Sequence, residues 1–202
     1  GDRLYFANHI FGLNIYALTD PARPSLLGNI DLQNAVRVRV IGDVAYVSDP
    51  WVGLVAVDVS EPERPSLIGE YHQIRRATGA VALGEVVYNA NAVMDVSDPT
   101  RPTIDRGLDF EIFDLAIDGE NAVAAGDYGM HVLDLSDPAN PRELGFGAPS
   151  FGGFASGVAL EGDIAYLCGP DLDFEVLCFL RTFDISDRTN PVLLDEIEIV
   201  AD

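Results

Sequence analysis

Lysine is absent from this 202-residue chain. All 12 basic residues are arginine, and against 33 Asp and Glu they leave a formal net charge of -21. A field of that sign repels phosphate backbones and anionic lipid, so neither nucleic-acid binding nor a membrane-surface role is expected. It suits cationic partners, divalent metals or plain solvation at high salt. Long apolar runs are missing too. Nothing approaches the roughly 18 residues of a membrane span, so no membrane insertion is predicted. The 3.6-residue period of an amphipathic helix is also absent.

Sulfur is scarce: two Met and two Cys. Cys168 and Cys178 flank a nine-residue insertion at 169–177 between two predicted strands. They read either as a disulfide across a hairpin neck or as two buried free thiols. Two thiols without a nearby histidine make a weak metal site. Nucleophile elbows, His-rich zinc patterns and phosphate loops are all lacking, so no catalytic residue is assigned. No leader peptide is visible. The chain opens on Gly1-Asp2, inside a repeat, as a processed or trimmed start would.

What the chain does have is a recurring stretch, Gly129-Met-His-Val-Leu-Asp-Leu-Ser-Asp-Pro-Ala-Asn-Pro141. Near-copies run from Gly12 to Pro24 and from Gly53 to Pro65, and shorter ones from Val93 to Pro102 and Thr182 to Pro191. Each is an apolar alternation entering a corner rich in Ser, Asp and Pro, as a strand ending in a rigid turn would be. The closing prolines at 24, 65, 102, 141 and 191 are spaced by 41, 37, 39 and 50 residues. A period near forty made only of short strands points to radially stacked four-stranded sheets, a β-propeller.

The fourth repeat parses most clearly, with strand a over Phe113–Asp118, b over Ala122–Ala125, c over Met130–Leu135 and d over about Glu143–Phe146. A Gly-acid pair recurs between a and b: Gly42-Asp43, Gly84-Glu85, Gly119-Glu120 and Gly162-Asp163. Glycine supplies the positive φ of a two-residue hairpin. The expected fold is thus all-β, about five four-stranded blades in one domain over 1–202. The repeats fall at about 1–31, 32–71, 72–109, 110–148 and 149–202. Only the 11 residues from Val192 to Asp202 remain to join the last corner to Gly1, so the first blade lacks its inner strand. Either Glu196–Ala201 doubles as that strand or the chain is a piece of a longer propeller, which leaves self-assembly or completion by another chain open.

Leu54-Val-Ala-Val-Asp-Val-Ser60, His131-Val-Leu-Asp-Leu-Ser136 and Met94-Asp-Val-Ser97, with the prolines after them, resemble the LVIVD-repeat family of β-propellers. The likeness runs over essentially the whole chain. It departs at Arg188-Thr189, at the short third c strand and at the insertion 169–177. The resemblance implies a scaffold and an exported or surface-attached location, and it carries no catalytic motif.

Propeller topology sorts the turns into two sets. The ab and cd turns barely change between repeats, whereas the da and bc loops vary in length and residue type, which is where binding is usually placed. The bc loops carry His9, Phe11, Asp49, Trp51, Asp127 and Tyr128. The da loops carry Gln33, His72, Arg75, Arg76 and Phe151. From these, Trp51, Asp49, His9, His72, Arg75, Arg76, Asp127, Tyr128 and Phe151 are the expected ligand contacts, aromatic platforms beside polar groups that suit a partner protein or a glycan. The bland reading is that the phenylalanines plug the mouth between blades and that Arg75-Arg76 is a solvated turn. Arg37 and Arg39, in an otherwise apolar strand, read as inter-blade clamps or an anion site. Asp58, Asp95, Asp134 and Asp184, each two residues before a Ser, read as side-chain-to-backbone corners, with calcium as the alternative. No other cofactor is expected. The functional expectation is a non-enzymatic, secreted or cell-surface binding propeller. Its alternatives are a glycoside hydrolase-like enzyme using carboxylates such as Asp49, Asp114, Asp127 and Asp171, and a structural subunit.

Overall fold

The computed structural model describes residues 2–72, 79–126, 128–148, 155–170 and 177–200. No helix occurs among them, so none is long and apolar enough to cross a membrane. β1 (Arg3–Ala7), β2 (Leu13–Ala17) and β3 (Ser25–Ile30) form a three-stranded sheet in chain order. β4 (Arg37–Ile41), β5 (Val44–Asp49), β6 (Gly53–Asp58) and β7 (Ser66–Tyr71) form a four-stranded one. Next come β8 (Ala80–Leu83), β9 (Val86–Asp95), β10 (Thr103–Asp118), β11 (Asn121–Gly126), β12 (Gly129–Asp134) and β13 (Arg142–Gly147), which share a six-stranded sheet. β14 (Gly157–Glu161), β15 (Ile164–Pro170), β16 (Leu177–Asp184) and β17 (Val192–Val200) form the last, four-stranded sheet.

The arrangement is a β-propeller, but the expected five blades are not found: the strands gather into four sheets. The third and fourth repeats merge. Val86–Asp95 contains neither Gly nor Pro, and β9 runs through all ten residues although Ala90 takes a left-handed φ of 53°. β10 likewise runs 16 residues across the expected repeat boundary at 109/110, where no proline removes a ladder donor. The first sheet does lack a fourth strand among the described residues, with β1 at its edge. The last segment does not fill that place, because Glu196–Val200 lies in β17 and pairs with β16.

The hairpins form as the sequence chemistry requires. Gly42, Gly84, Gly119 and Gly162 have φ between 55° and 61°, while the acidic residue after each stays at negative φ. Positive φ at the first central position alone is the signature of a type II′ turn. At the same end of the sheet the Asp-x-Ser corner closes on itself. The N–H of Ser60, Ser97, Ser136 and Ser186 donates to Oδ1 of Asp58, Asp95, Asp134 and Asp184 at 2.8–2.9 Å. Each corner is tied to the neighbouring hairpin by a backbone bond, such as Val59 N–H to Asp43 O at 2.8 Å and Val96 N–H to Glu85 O at 2.9 Å. These oxygens serve backbone donors, and no metal-ligating cluster occurs among the described residues.

The chain divides into two compact units, Gly1–Gly107 and Leu108–Asp202. In the first, the four-stranded sheet is covered on both faces. Ala45, Val47, Val55 and Val57 pack with Leu13 and Ile15, and Tyr46, Leu54 and Ala56 pack with Val87, Ala92 and Met94. That is why β5 and β6 read as unbroken apolar runs. In the second unit Val123, Met130 and Val132 pack with Ala165, Leu167 and Phe183.

One interlock escaped the sequence reading. Gly28 and Gly69 sit at the bulge of β3 and β7, and a Cβ on either would run into the carbonyl oxygen of Pro62 or Pro99 in the next Pro-rich corner. Gly145 on β13 meets the Arg188 carbonyl in the same way. Backbone thus packs on backbone between successive repeats, which only glycine permits.

Candidate functional site

The loops of the first unit are joined by a chain of short polar contacts. The β3–β4 loop lies between the β1–β2 and β5–β6 loops. His9 exchanges both backbone hydrogen bonds with Ala35, at 2.7 and 3.0 Å, and its Nδ1 is 3.2 Å from Asn34 Oδ1. His9 takes a φ of 47° to do so. On the other side the Asn34 N–H donates to Asp49 Oδ2 at 2.7 Å.

Asp49 is the hub. It is fully buried at the end of β5, and Oδ1 accepts the N–H groups of Trp51 at 2.9 Å and Val52 at 3.2 Å. A buried carboxylate surrounded by backbone donors fixes loop shape, since leaving those donors unpaired would be costly. Asp49 was expected to touch ligand directly; its oxygens instead hold three amides. Trp51 follows with its side chain 68% exposed, and Ile10 and Phe11 at the tip of the β1–β2 loop are 64% and 63% exposed. Phe11 therefore does not plug the space between sheets. These apolar side chains are thus held out on loops braced from below.

Between these loops and the strands beneath lies an open cavity of about 400 Å³. Its floor is apolar, with Val52 and Val55 buried and Ile30 and Leu32 half-buried. Leu67 and Glu70 of β7 form one wall, and Asp31, Gln33 and Asp49 supply the remaining polar groups. The register explains this placement: Glu70 is opposite Val55 and Leu67 opposite Val57, so all four point to one face. His72 Nε2 stands 3.0 Å from Glu70 Oε2 at the rim, its side chain 65% exposed.

Of the nine ligand contacts expected from sequence, the structure groups His9 and Trp51 about Asp49 and places His72 beside the cavity through Glu70. Tyr128 lies in the second unit, 74% exposed with a φ of 65°. Arg75, Arg76, Asp127 and Phe151 lie outside the described residues. The sequence reading missed Leu67 and Glu70, which sit on a strand; only their bulged pairing with β6 brings them to one face.

The expected crosslink is a correction. Cys168 and Cys178 are free and exposed. Cys168 pairs with Leu180, and Cys178 with Pro170, so the two thiols are diagonal neighbours two positions out of register. Such diagonals are typically about 7–8 Å apart, beyond disulfide reach. Arg39 is no clamp either: it is exposed, and its Nη1 donates to the Val38 carbonyl at 3.3 Å. A buried arginine that was not foreseen is Arg181, which pairs within its own sheet and not between sheets. Its Nε donates to Glu196 Oε2 at 2.5 Å over the Phe179 ring.

Comparison with known proteins agrees with the repeat. The family model described as the LVIVD repeat matches residues 33–73 and 113–146. No curated protein matches. Among solved structures, a computationally designed protein, Ika8, has a TM-score of 0.67 at 12% identity, over 98% of this chain and 59% of its own. A protein from Lactobacillus plantarum has a TM-score of 0.76 at 15% identity, over 97% and 68%. A functionally unknown protein from Desulfotomaculum acetoxidans has a TM-score of 0.67 at 12% identity, over 96% and 66%. At such identities the likeness is one of fold alone. The chain spans about three fifths to two thirds of the length of these solved chains.

Proposed function

We propose that this chain, a β-propeller carrying LVIVD repeats, is a non-enzymatic binding module, exported or surface-displayed, that takes a partner protein or glycan on its da and bc loops. The observation that carries this is Asp49, which ties the β3–β4 and β5–β6 loops together and leaves Trp51 exposed above an open cavity. A surface preorganised in the free protein spends less of its binding free energy on ordering. The enzymatic alternative loses support at the two of its four carboxylates that lie among the described residues, since both are engaged by backbone amides. Asp49 holds three amides, and Asp114 Oδ2 accepts the Val158 N–H at 3.2 Å.

The test is display of peptides and glycans on arrays, probed with the wild-type chain and with Trp51→Ala and Phe11→Ala variants. Loss of signal in both variants at unchanged melting temperature supports the reading. Signal that survives both variants contradicts it.

A second reading, a subunit whose first sheet is completed by another chain, is supported by β1. That strand pairs with β2 on one side and carries Leu4 and Phe6, 43% and 50% exposed. Mass photometry distinguishes the two: a monomer at nanomolar concentration speaks against the subunit.

A further inference from the structure

We infer that the cavity between β3 and β7 receives one lysine or arginine side chain of a partner protein. This rests on the binding reading above and specifies the occupant of that same site. Three physical constraints select it.

The first is size. A volume of about 400 Å³ lies at the low end for ligand pockets, ample for a long side chain and small for an extended segment. The second is the sign of charge. Among the described residues, the ionisable groups lining the cavity are the carboxylates of Asp31, Asp49 and Glu70, with His72 Nε2 3.0 Å from Glu70 at the rim, and no arginine lines it. An anion is repelled there, and a wholly apolar group would strip water from carboxylates without replacing their partners. The third is the division of the walls. Val52, Val55 and Leu32 form an apolar floor, whereas Asp31 and Glu70 are exposed at the mouth. A methylene stem with a charged end matches that order, with the stem on apolar surface and the head kept near water. A sugar ring fits less well, because no aromatic side chain among the described residues lines the cavity. The chain's own charge of -21 adds long-range attraction for a basic partner.

The probes are Nα-acetyl-lysine methylamide, its uncharged norleucine counterpart and pentylamine, each titrated into the 15N-labelled chain and followed by amide shifts. The expected result is saturable shifts at Leu32, Gln33 and Val52 with the lysine probe, and affinity about fivefold or more weaker for norleucine. The double variant Asp31→Asn/Glu70→Gln should weaken the lysine probe by a similar factor and keep the wild-type amide spectrum elsewhere. Equal binding of norleucine, or indifference to the double variant, overturns the assignment. Pentylamine binding as tightly as the lysine probe overturns the protein side chain in favour of a free amine. If the lysine probe fails while array signal still depends on Trp51, the loop surface stands and only its occupant is wrong.

Discussion

The backbone N–H of Asn34 donates to Oδ2 of Asp49 at 2.7 Å, joining two loops that are 15 residues apart in sequence. Everything above the cavity leans on this bond and on the two that Oδ1 accepts from Trp51 and Val52. Asp49→Ala would leave the Asn34 and Trp51 amides to find other partners, while the Val52 N–H keeps the Asp49 carbonyl at 3.2 Å. It is expected to destabilise the chain by at least about 2 kcal/mol in urea unfolding. Trp51→Ala, at an exposed tip, should stay within about 0.5 kcal/mol of wild type. Equal stability of the two variants would remove Asp49 from its role.

Gly69 offers a second test. A methyl group there meets the Pro99 carbonyl, and backbone cannot rotate away as a side chain can. Gly69→Ala should cost about 1–3 kcal/mol. Gly107→Ala is the control, because its nearest contact would be the Asn91 oxygen at 3.9 Å. That change should be neutral or stabilise by up to about 1 kcal/mol, through reduced freedom of the unfolded chain.

Acid should loosen the Pro-rich corners. The Arg142 guanidinium, 2.9 Å away, together with the Ser136 N–H, lowers the Asp134 carboxyl from 3.8 to about 2. The Ser60, Ser97 and Ser186 corners lower Asp58, Asp95 and Asp184 in the same direction. Because the folded values lie below the unfolded one, this stabilisation is complete above pH 3.8 and fades as pH falls towards 2. Melting temperature should therefore fall across that window, and less steeply in Asp134→Asn. An Asp134→Asn profile parallel to wild type would contradict the assignment.

Cys168 and Cys178 should both react with a thiol reagent in the folded chain, and reducing agent should leave the melting temperature unchanged. A drop on reduction would mean that the two strands are crosslinked after all.

What the sequence made legible was local. The Gly-acid pairs and Asp-x-Ser corners act through residues two or three apart, so their chemistry is complete within a short window, and both were found where expected. The number of sheets was not legible, because whether β10 stops near residue 109 depends on its neighbours: no Pro stands there, and the strand runs on through Gly107. Nor was the engagement of Asp49 oxygens by Asn34, a contact between two loops 15 residues apart that no short motif announces. Leu67 and Glu70 show why a site can hide on a strand: three residues apart, they would fall on opposite faces by simple alternation, and only the bulge in their pairing with β6 sets them opposite Val57 and Val55 on one face.

Hydrogen–deuterium exchange, with and without the ligand that the arrays identify, tests the central claim most directly. Protection concentrated in peptides covering residues 30–35 and 49–53 is the predicted result. Protection confined to the corners around Asp58 and Asp95, with those loops unchanged, would place binding at the opposite turns and contradict it.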